Sequence, residues 1–295
     1  MSAESSTDSW EDLFQANANC WRMERCERVG LALETCAYFE AFRDACERAQ
    51  RCVFILGWDF DRRERLGRGD DDPTLESFLC DLLERRPELE VFLLVWDYAF
   101  VYAAEREWFQ EQHLRHRTHE RLHVHFDSTH PVGGSQHQKV VVVDDRVAFS
   151  GGIDLSRWRW DECEHAPDDP RRIDPDGKPY PPFHDVMAVV DDGGARALGA
   201  LARERWRAAD AGPEPPEAPA ASGDPWPSNV APLWRDQSIA LARTWPACGD
   251  GETIREVERL YLDSIARARR YVYVENQYLT ARSITDALAE RLGEE

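Results

Sequence analysis

Short apolar runs alternate with amphipathic stretches along the first two thirds of the sequence. Residues 52–58, 89–96 and 139–143 are almost entirely apolar, which is typical of strands that are buried on both faces. Residues 34–50 and 74–86 carry apolar side chains at helical spacing instead. The alternation predicts an α/β fold with a mixed, mostly parallel sheet that is flanked by helices on both faces.

The remaining elements are predicted from the same periodicities. The elements expected beyond those above are helices at 101–117, 195–209, 252–269 and 283–292 and strands at 121–126, 146–150, 185–190 and 271–275. Asp144 and Asp145 are expected to form the turn of a β-hairpin. Residues 166–182, rich in proline and aspartate, are predicted to form a loop.

The last part of the sequence resembles the first. Residues 256–280 align with residues 37–61 at a constant offset, which matches Phe42 with Tyr261 and Val53 with Val272. This predicts three parts: a first repeat at 1–210, a linker rich in proline and alanine at 211–230, and the start of an incomplete second copy at 231–295. The alternative is that two unrelated helix–strand units share this pattern by topology alone.

Composition limits the classes of function. A net charge of −20 argues against nonspecific binding to nucleic acid or to anionic membranes. Eight cysteines without a C-x-x-C pair favour reduced, structural thiols. No apolar run reaches the roughly 18 to 20 residues of a membrane span, and the first residues lack the order of a signal peptide, so we expect a cytoplasmic protein.

The sharpest motif is SQHQKVVVVD, followed by SGGID. In a strand, residues two apart face the same side, so His137 and Lys139 are expected to project together while Gln138 faces away. This pairs a nucleophile with a cation that can bind phosphate. Lysine is also rare, because only Lys139 and Lys178 occur among 36 basic residues. Gly151 and Gly152 then allow the main chain to approach a ligand closely.

HQKVVVVD followed by GGID resembles the H-x-K-x4-D motif of the phospholipase D superfamily. Stretches that resemble the surroundings of this motif in phosphatidylcholine-type bacterial members are NCW at 19–21, AYF at 37–39, GWDFD at 57–61, RWD at 159–161 with His165, PFHD at 182–185 and ENQY at 275–278. The resemblance implies a phosphodiesterase that hydrolyses or transfers phospholipid phosphodiesters. It also implies a phospholipid substrate at a membrane surface, so the protein is expected to be cytoplasmic or peripheral at the membrane, with no nucleic-acid partner.

The resemblance assigns roles to residues of this motif. His137 is expected to attack phosphorus and form a phosphohistidine, while a histidine of a second motif protonates the leaving alcohol. Lys139 is expected to neutralise the phosphoryl oxygens. Neither a metal nor another cofactor is implied.

The other members of the motif have less defined roles. Asp144 is counted with the catalytic residues, although its place at a turn favours fixing the hairpin or pairing with a basic group. Gly151, Gly152 and Asp154 are expected to bind substrate. Other branches of the superfamily carry Asn at the position of Asp154, which puts a direct phosphate contact there in doubt.

The 295 residues contain one H-x-K, whereas the enzymes of this superfamily carry two. We expect the chain to be a piece of a longer protein, and the alternatives are a homodimer that joins two copies of His137 or a pseudoenzyme. The alternative activities are a cardiolipin synthase-like phosphatidyltransferase and a single-motif dimeric phosphodiesterase. A more remote alternative is a non-catalytic zinc-binding domain, because seven of the nine histidines lie at 113–137 and His113 and His116 are one helical turn apart.

Overall fold

The computed structural model describes residues 10–97, 119–217, 223–248 and 251–293. It divides into two compact units, residues 25–237 and residues 1–24 with 238–295. The elements of the sheet and its flanking helices are, in chain order, β1 (Arg22–Leu33), α1 (Glu34–Glu47), β2 (Cys52–Gly57), α2 (Leu75–Arg85), β3 (Glu90–Trp96), β4 (Leu122–Asp127), β5 (Val140–Val143), β6 (Val147–Gly151), β7 (Val186–Asp191), α3 (Asp192–Ala208) and β8 (Trp234–Leu241). The predicted helix at 101–117 lies outside the described residues.

The eight strands form one sheet in the order β4-β3-β2-β5-β6-β7-β1-β8. Strands β2, β3 and β4 run parallel to one another. The pairings β2–β5, β5–β6, β6–β7 and β7–β1 are antiparallel, so the prediction of a mostly parallel sheet is wrong. The error has a physical reason: an apolar run reports that both faces of a strand are covered, and antiparallel strands between two helical layers meet the same condition.

Helices cover both faces of the sheet, as predicted. On one face Tyr38 of α1 packs against Phe149 of β6, with ring centroids 5.7 Å apart. On the other face the ring of Trp206 of α3 lies 5.9 Å from that of Phe54 in β2 and 5.3 Å from that of Phe92 in β3. These side chains are buried, so the core is divided into two layers by the sheet.

The smaller unit contains short elements. They are a 3₁₀ turn at Trp10–Leu13, β9 (Thr244–Trp245), β10 (Ile254–Arg255), α4 (Glu256–Arg267) and α5 (Arg282–Leu292). The two helices are joined by a hydrogen bond of 2.7 Å from the hydroxyl of Ser283 to Glu258. Both helices are predicted by the sequence, at slightly different bounds.

The predicted strand at 271–275 is absent, because these residues are described without strand pairing. Tyr271 is 84% exposed, and no strand among the described residues pairs with this segment. A strand needs a hydrogen-bonded neighbour, and a second copy of the first repeat is accordingly not seen among the residues that the structure describes. The three predicted domain bounds stay a prediction, while Trp226 and Val230 of the predicted linker are buried in the core. Within the described residues, no helix has the length and apolar character of a membrane span.

Candidate active site

The candidate site lies at one edge of the sheet, where β2 and β6 end and β5 begins. Leu56 pairs with Val140, and Val140 pairs with Ser150. Because β5 runs antiparallel to both neighbours, the residues before β5 emerge beside those after β2 and after β6. Three separate segments of the sequence therefore meet at this edge: HQK, GWD and GGID.

Lys139 and Asp154 form a buried ion pair at this edge. The Lys139 Nζ lies 3.0 Å from Asp154 Oδ2, and the two side chains are 5% and 1% exposed. Asp154 Oδ1 accepts hydrogen bonds from the main-chain N–H groups of Trp58 (2.9 Å) and Asp59 (3.2 Å). Burial lowers the pKa of Lys139, and the carboxylate of Asp154 opposes this effect. Asp154 thus holds the ammonium in place and ties it to the end of β2.

His137 lies two residues before Lys139 and is exposed. Its ring centroid is 5.7 Å from that of Trp58, and Lys139 Nζ is 5.8 Å from the same Trp58 ring. Partial desolvation by the surrounding protein lowers the pKa of His137 to about 4, and the positive charges of Lys139 and Arg159 act in the same direction. The imidazole is therefore neutral near pH 7, which is the form that can act as a nucleophile.

Gln138 faces away from this site, as the spacing predicts. Its Oε1 accepts a hydrogen bond of 2.7 Å from Nη1 of Arg205 in α3. Arg205 is itself paired with Asp127 at the end of β4. Since α3 covers the opposite face of the sheet, Gln138 and Lys139 point to different sides of the chain.

Asp144 lies at the opposite end of β5 from His137. Its carboxylate accepts hydrogen bonds from the main-chain N–H groups of Gln50 (2.7 Å), Arg51 (2.8 Å) and Cys52 (2.9 Å). The side chain is 3% exposed, and it fixes the connection from α1 into β2. A catalytic role for Asp144 stays a prediction, whereas its place at the turn is now described.

Gly151 and Gly152 are required by packing within the chain. A Cβ at Gly151 would lie 2.1 Å from the carbonyl oxygen of Val186, and one at Gly152 would lie 2.0 Å from a carboxylate oxygen of Asp185. The first contact is with main chain that cannot move aside easily. The two glycines therefore allow β7 and the residue before it to pack closely against the end of β6. Binding of substrate by Gly151 and Gly152 stays a prediction.

Sequence reasoning missed three residues that shape the site: Trp58, Asp59 and Arg159. Trp58 contacts both His137 and Lys139, while Asp59 accepts a hydrogen bond from the hydroxyl of the buried Ser156. Arg159 lies 5.1 Å from the ring of Phe183 and contributes positive charge to the site. The signal was present, because these residues belong to the GWDFD and RWD stretches, which were noted without assigned roles.

One group of side chains among the described residues has its ligand atoms close enough together to hold a metal ion. It consists of Glu34, His165 and His184, whose ligand atoms lie within 4.8 Å of one another. None of these three was predicted as a ligand. Of the five histidines at 113–125 behind the zinc-binding alternative, His113 and His116 lie outside the described residues.

Comparison with known proteins finds similar proteins that are phospholipases D. Phospholipase D A of Dictyostelium discoideum is 27% identical over 286 residues, which cover 84% of this chain and 21% of that protein. Phospholipase D gamma 1 of Arabidopsis thaliana is 27% identical over 324 residues, which cover 83% of this chain and 38% of that protein. Both of these similar proteins are phospholipases D. No protein-family model matches it.

The chain spans only part of the length of these relatives, 21% and 38% of the two proteins above. Two solved structures also resemble it. Nuc, a phospholipase D family member from Salmonella typhimurium, has a TM-score of 0.38 and 14% identity over 63% of this chain and 95% of that one. NucT from Helicobacter pylori has a TM-score of 0.39 and 11% identity over 64% of this chain and 98% of that one.

Proposed function

We propose that this chain supplies one half of a phosphodiesterase site that cleaves phospholipids through a phosphohistidine on His137. The observation that carries the proposal is the juxtaposition of an exposed, neutral imidazole with the buried ammonium of Lys139. Trp58 contacts both groups. The ammonium can balance charge on the phosphoryl oxygens, and a partly desolvated cation is more effective there than one in water.

The first half-reaction forms a bond between a ring nitrogen of His137 and phosphorus. The bond from phosphorus to the head-group oxygen breaks, and the leaving alkoxide takes a proton from an imidazolium. In the second half-reaction, water or another alcohol attacks phosphorus and gives its proton to the second imidazole, which lost one in the first half-reaction. The phosphorus–nitrogen bond breaks, and His137 returns to its neutral form. Attack by water gives hydrolysis, and attack by an alcohol gives transfer.

The imidazolium belongs to a second His-x-Lys, which the 295 residues do not contain. It comes from a second copy of the chain or from another polypeptide segment. General acid catalysis of this kind typically contributes about 10² to 10⁴ in rate. The covalent step on His137 can be measured without this general acid when the leaving group needs no proton.

A phosphatidyl ester of p-nitrophenol tests the proposal, because p-nitrophenolate is a weakly basic leaving group. Mixing the chain with this ester in micelles is expected to release up to one equivalent of p-nitrophenolate per chain in a burst. The phosphatidyl label is expected on the peptide that contains His137 after a quench in base, which preserves phosphohistidine.

The matched variants are His137→Gln and His130→Gln, because His130 is a half-buried histidine that lies next to Trp96. The burst and the label are expected to be lost in His137→Gln and retained in His130→Gln. Release without label in the unchanged protein, or label that persists in His137→Gln, contradicts the phosphohistidine.

A further inference from the structure

Three side chains meet beside the paired ends of β1 and β7. Leu33 pairs with Val186, so the residues just beyond this pair, Glu34 and His184, are brought together by strand register. The third, His165, comes from the loop between β6 and β7. His184 Nδ1 lies 2.6 Å and His165 Nε2 lies 3.3 Å from the same oxygen, Oε1 of Glu34.

Glu34 is the buried member of the group, with a side chain that is 6% exposed. Its second oxygen, Oε2, is buried and has no hydrogen-bond partner among the described residues. A buried carboxylate oxygen without a partner is unfavourable, since it has lost its water without replacement. A cation bound to the carboxylate of Glu34 would supply the missing interaction.

His165 is held in the orientation of a metal ligand. Its Nδ1 lies 2.9 Å from Oδ2 of Asp161, which leaves Nε2 directed to Glu34. Asp161 is itself fixed by a 3.0 Å bond from Nη1 of Arg172 and a 2.9 Å bond from the main-chain N–H of Phe183. Metal-binding histidines commonly donate their other ring nitrogen to a carboxylate in this way.

We propose that Glu34, His165 and His184 bind a divalent transition-metal ion, with Zn²⁺ as the best match. Two imidazole nitrogens and one carboxylate oxygen form a common zinc ligand set, and water completes the coordination. Imidazole ligands disfavour Ca²⁺ and Mg²⁺, which prefer oxygen. The 2.6 Å contact of His184 has to open by less than about 1 Å to admit the ion, and the exposed side chain of His184 allows this.

The ion would connect three segments: the start of α1, the β6–β7 loop and the residue pair before β7. We therefore expect metal binding to stabilise the folded chain, because the unfolded chain does not present the three ligands together. The proposal is independent of the proposed function, since no step at His137 uses these residues.

Calorimetric titration of the metal-free chain with Zn²⁺ tests the proposal, and the absorption spectrum of the Co²⁺-loaded chain gives a second readout. The unchanged protein is expected to bind one Zn²⁺ and to show a Tm that rises with Zn²⁺ concentration. His184→Gln and Glu34→Gln are each expected to weaken binding at least about tenfold. His184 is exposed, so its replacement leaves the core intact.

Two controls separate this site from other histidines. His130→Gln removes a half-buried histidine outside the group, and a double variant at His113 and His116 removes the pair noted in the sequence. Both are expected to bind one Zn²⁺ as the unchanged protein does. Equal affinity in His184→Gln, loss of the ion in the double variant, or no binding by the unchanged protein overturns the proposal.

Discussion

The ammonium of Lys139 lies 3.0 Å from a carboxylate oxygen of Asp154, and both side chains are almost fully buried. Neither charge is well hydrated, so each depends on the other for its stability in the folded chain. The same contact fixes the ammonium beside Trp58 and His137. Stability and chemistry at this edge of the sheet are therefore coupled through one ion pair.

The first prediction concerns removal of either partner. Lys139→Met and Asp154→Asn are each expected to lower the free energy of unfolding by about 3–5 kcal/mol, because a buried charge loses its partner. The double variant is expected to lose less than the sum of the two. Urea unfolding of the four proteins measures this coupling.

Lys178 provides the control, since it is the other lysine and is exposed. Lys178→Met is expected to change the free energy of unfolding by less than about 0.5 kcal/mol. The double variant is expected to fold yet to give no p-nitrophenolate burst, since Met cannot balance phosphoryl charge. Additive losses in the double variant show that the two charges do not depend on each other.

The second prediction concerns the protonation of His137. Its pKa of about 4 in the folded chain is below the unfolded value of about 6.5, so the unfolded chain binds more protons between these values. Stability is therefore expected to fall as pH falls from about 6.5 to about 4, and this contribution is constant above about 6.5. In NMR spectra, the ring signal of His137 is assigned by its loss in His137→Gln. In the unchanged protein this signal is expected to titrate near pH 4.

Arg159→Gln tests the electrostatic part of this shift. Removing a nearby positive charge favours the imidazolium, so the midpoint for His137 is expected to rise, while desolvation, the larger cause, still keeps it below about 6.5. Arg196→Gln, which removes an exposed arginine paired with Asp192, is the matched control and is expected to leave the midpoint unchanged. A His137 midpoint near 6.5 in the unchanged protein contradicts the prediction.

The sequence predicts the elements better than their arrangement. The runs that form β2, β3 and β5 are recognisable because both of their faces are apolar, but an apolar run carries no information on strand direction. β1 escaped prediction because five of the first seven residues of its sequence, RMERCERVGLAL, are charged. Its Arg28 is paired with Asp191 and Asp224, which are distant in sequence, so no local pattern indicates that these charges are satisfied.

At the candidate site, too, the sequence indicates what a local pattern carries and not the contacts between residues that are distant in sequence. His137 and Lys139 are indicated by a local motif, and strand alternation predicts that Gln138 faces away. The partnership of Lys139 with Asp154 depends instead on the register of β5 with β6 and on the end of β2. Such contacts follow from tertiary structure, and the sequence therefore suggested a substrate contact for Asp154, where the structure describes a partner of Lys139.

The third prediction concerns Gly151. Gly151→Ala places a Cβ 2.1 Å from the carbonyl oxygen of Val186, so β6 and β7 have to separate. We expect a loss of about 1–3 kcal/mol in the free energy of unfolding, which is typical of overpacking. Ser150→Ala on the same strand is the control and is expected to cost less than about 0.5 kcal/mol. Equal stability of the two variants in urea shows that the strands can move apart without cost.

The last prediction concerns turnover of an ordinary phospholipid by this chain alone. A monomer presents one His137 and one Lys139, so a basic alkoxide has to leave without a proton and without a second ammonium. We expect hydrolysis of phosphatidylcholine to be slower by about 10² to 10⁴ than in an assembly with two such motifs. The p-nitrophenyl ester is expected to lose much less, because its leaving group needs no proton.

Light scattering on the same samples decides between the two sources of the second histidine. Full turnover of phosphatidylcholine by a dimer assigns the acid to a second copy, and a mixture of unchanged chain with His137→Gln then loses activity in proportion to mixed dimers. Full turnover by a monomer contradicts the need for a second histidine and, with it, the proposed division of roles.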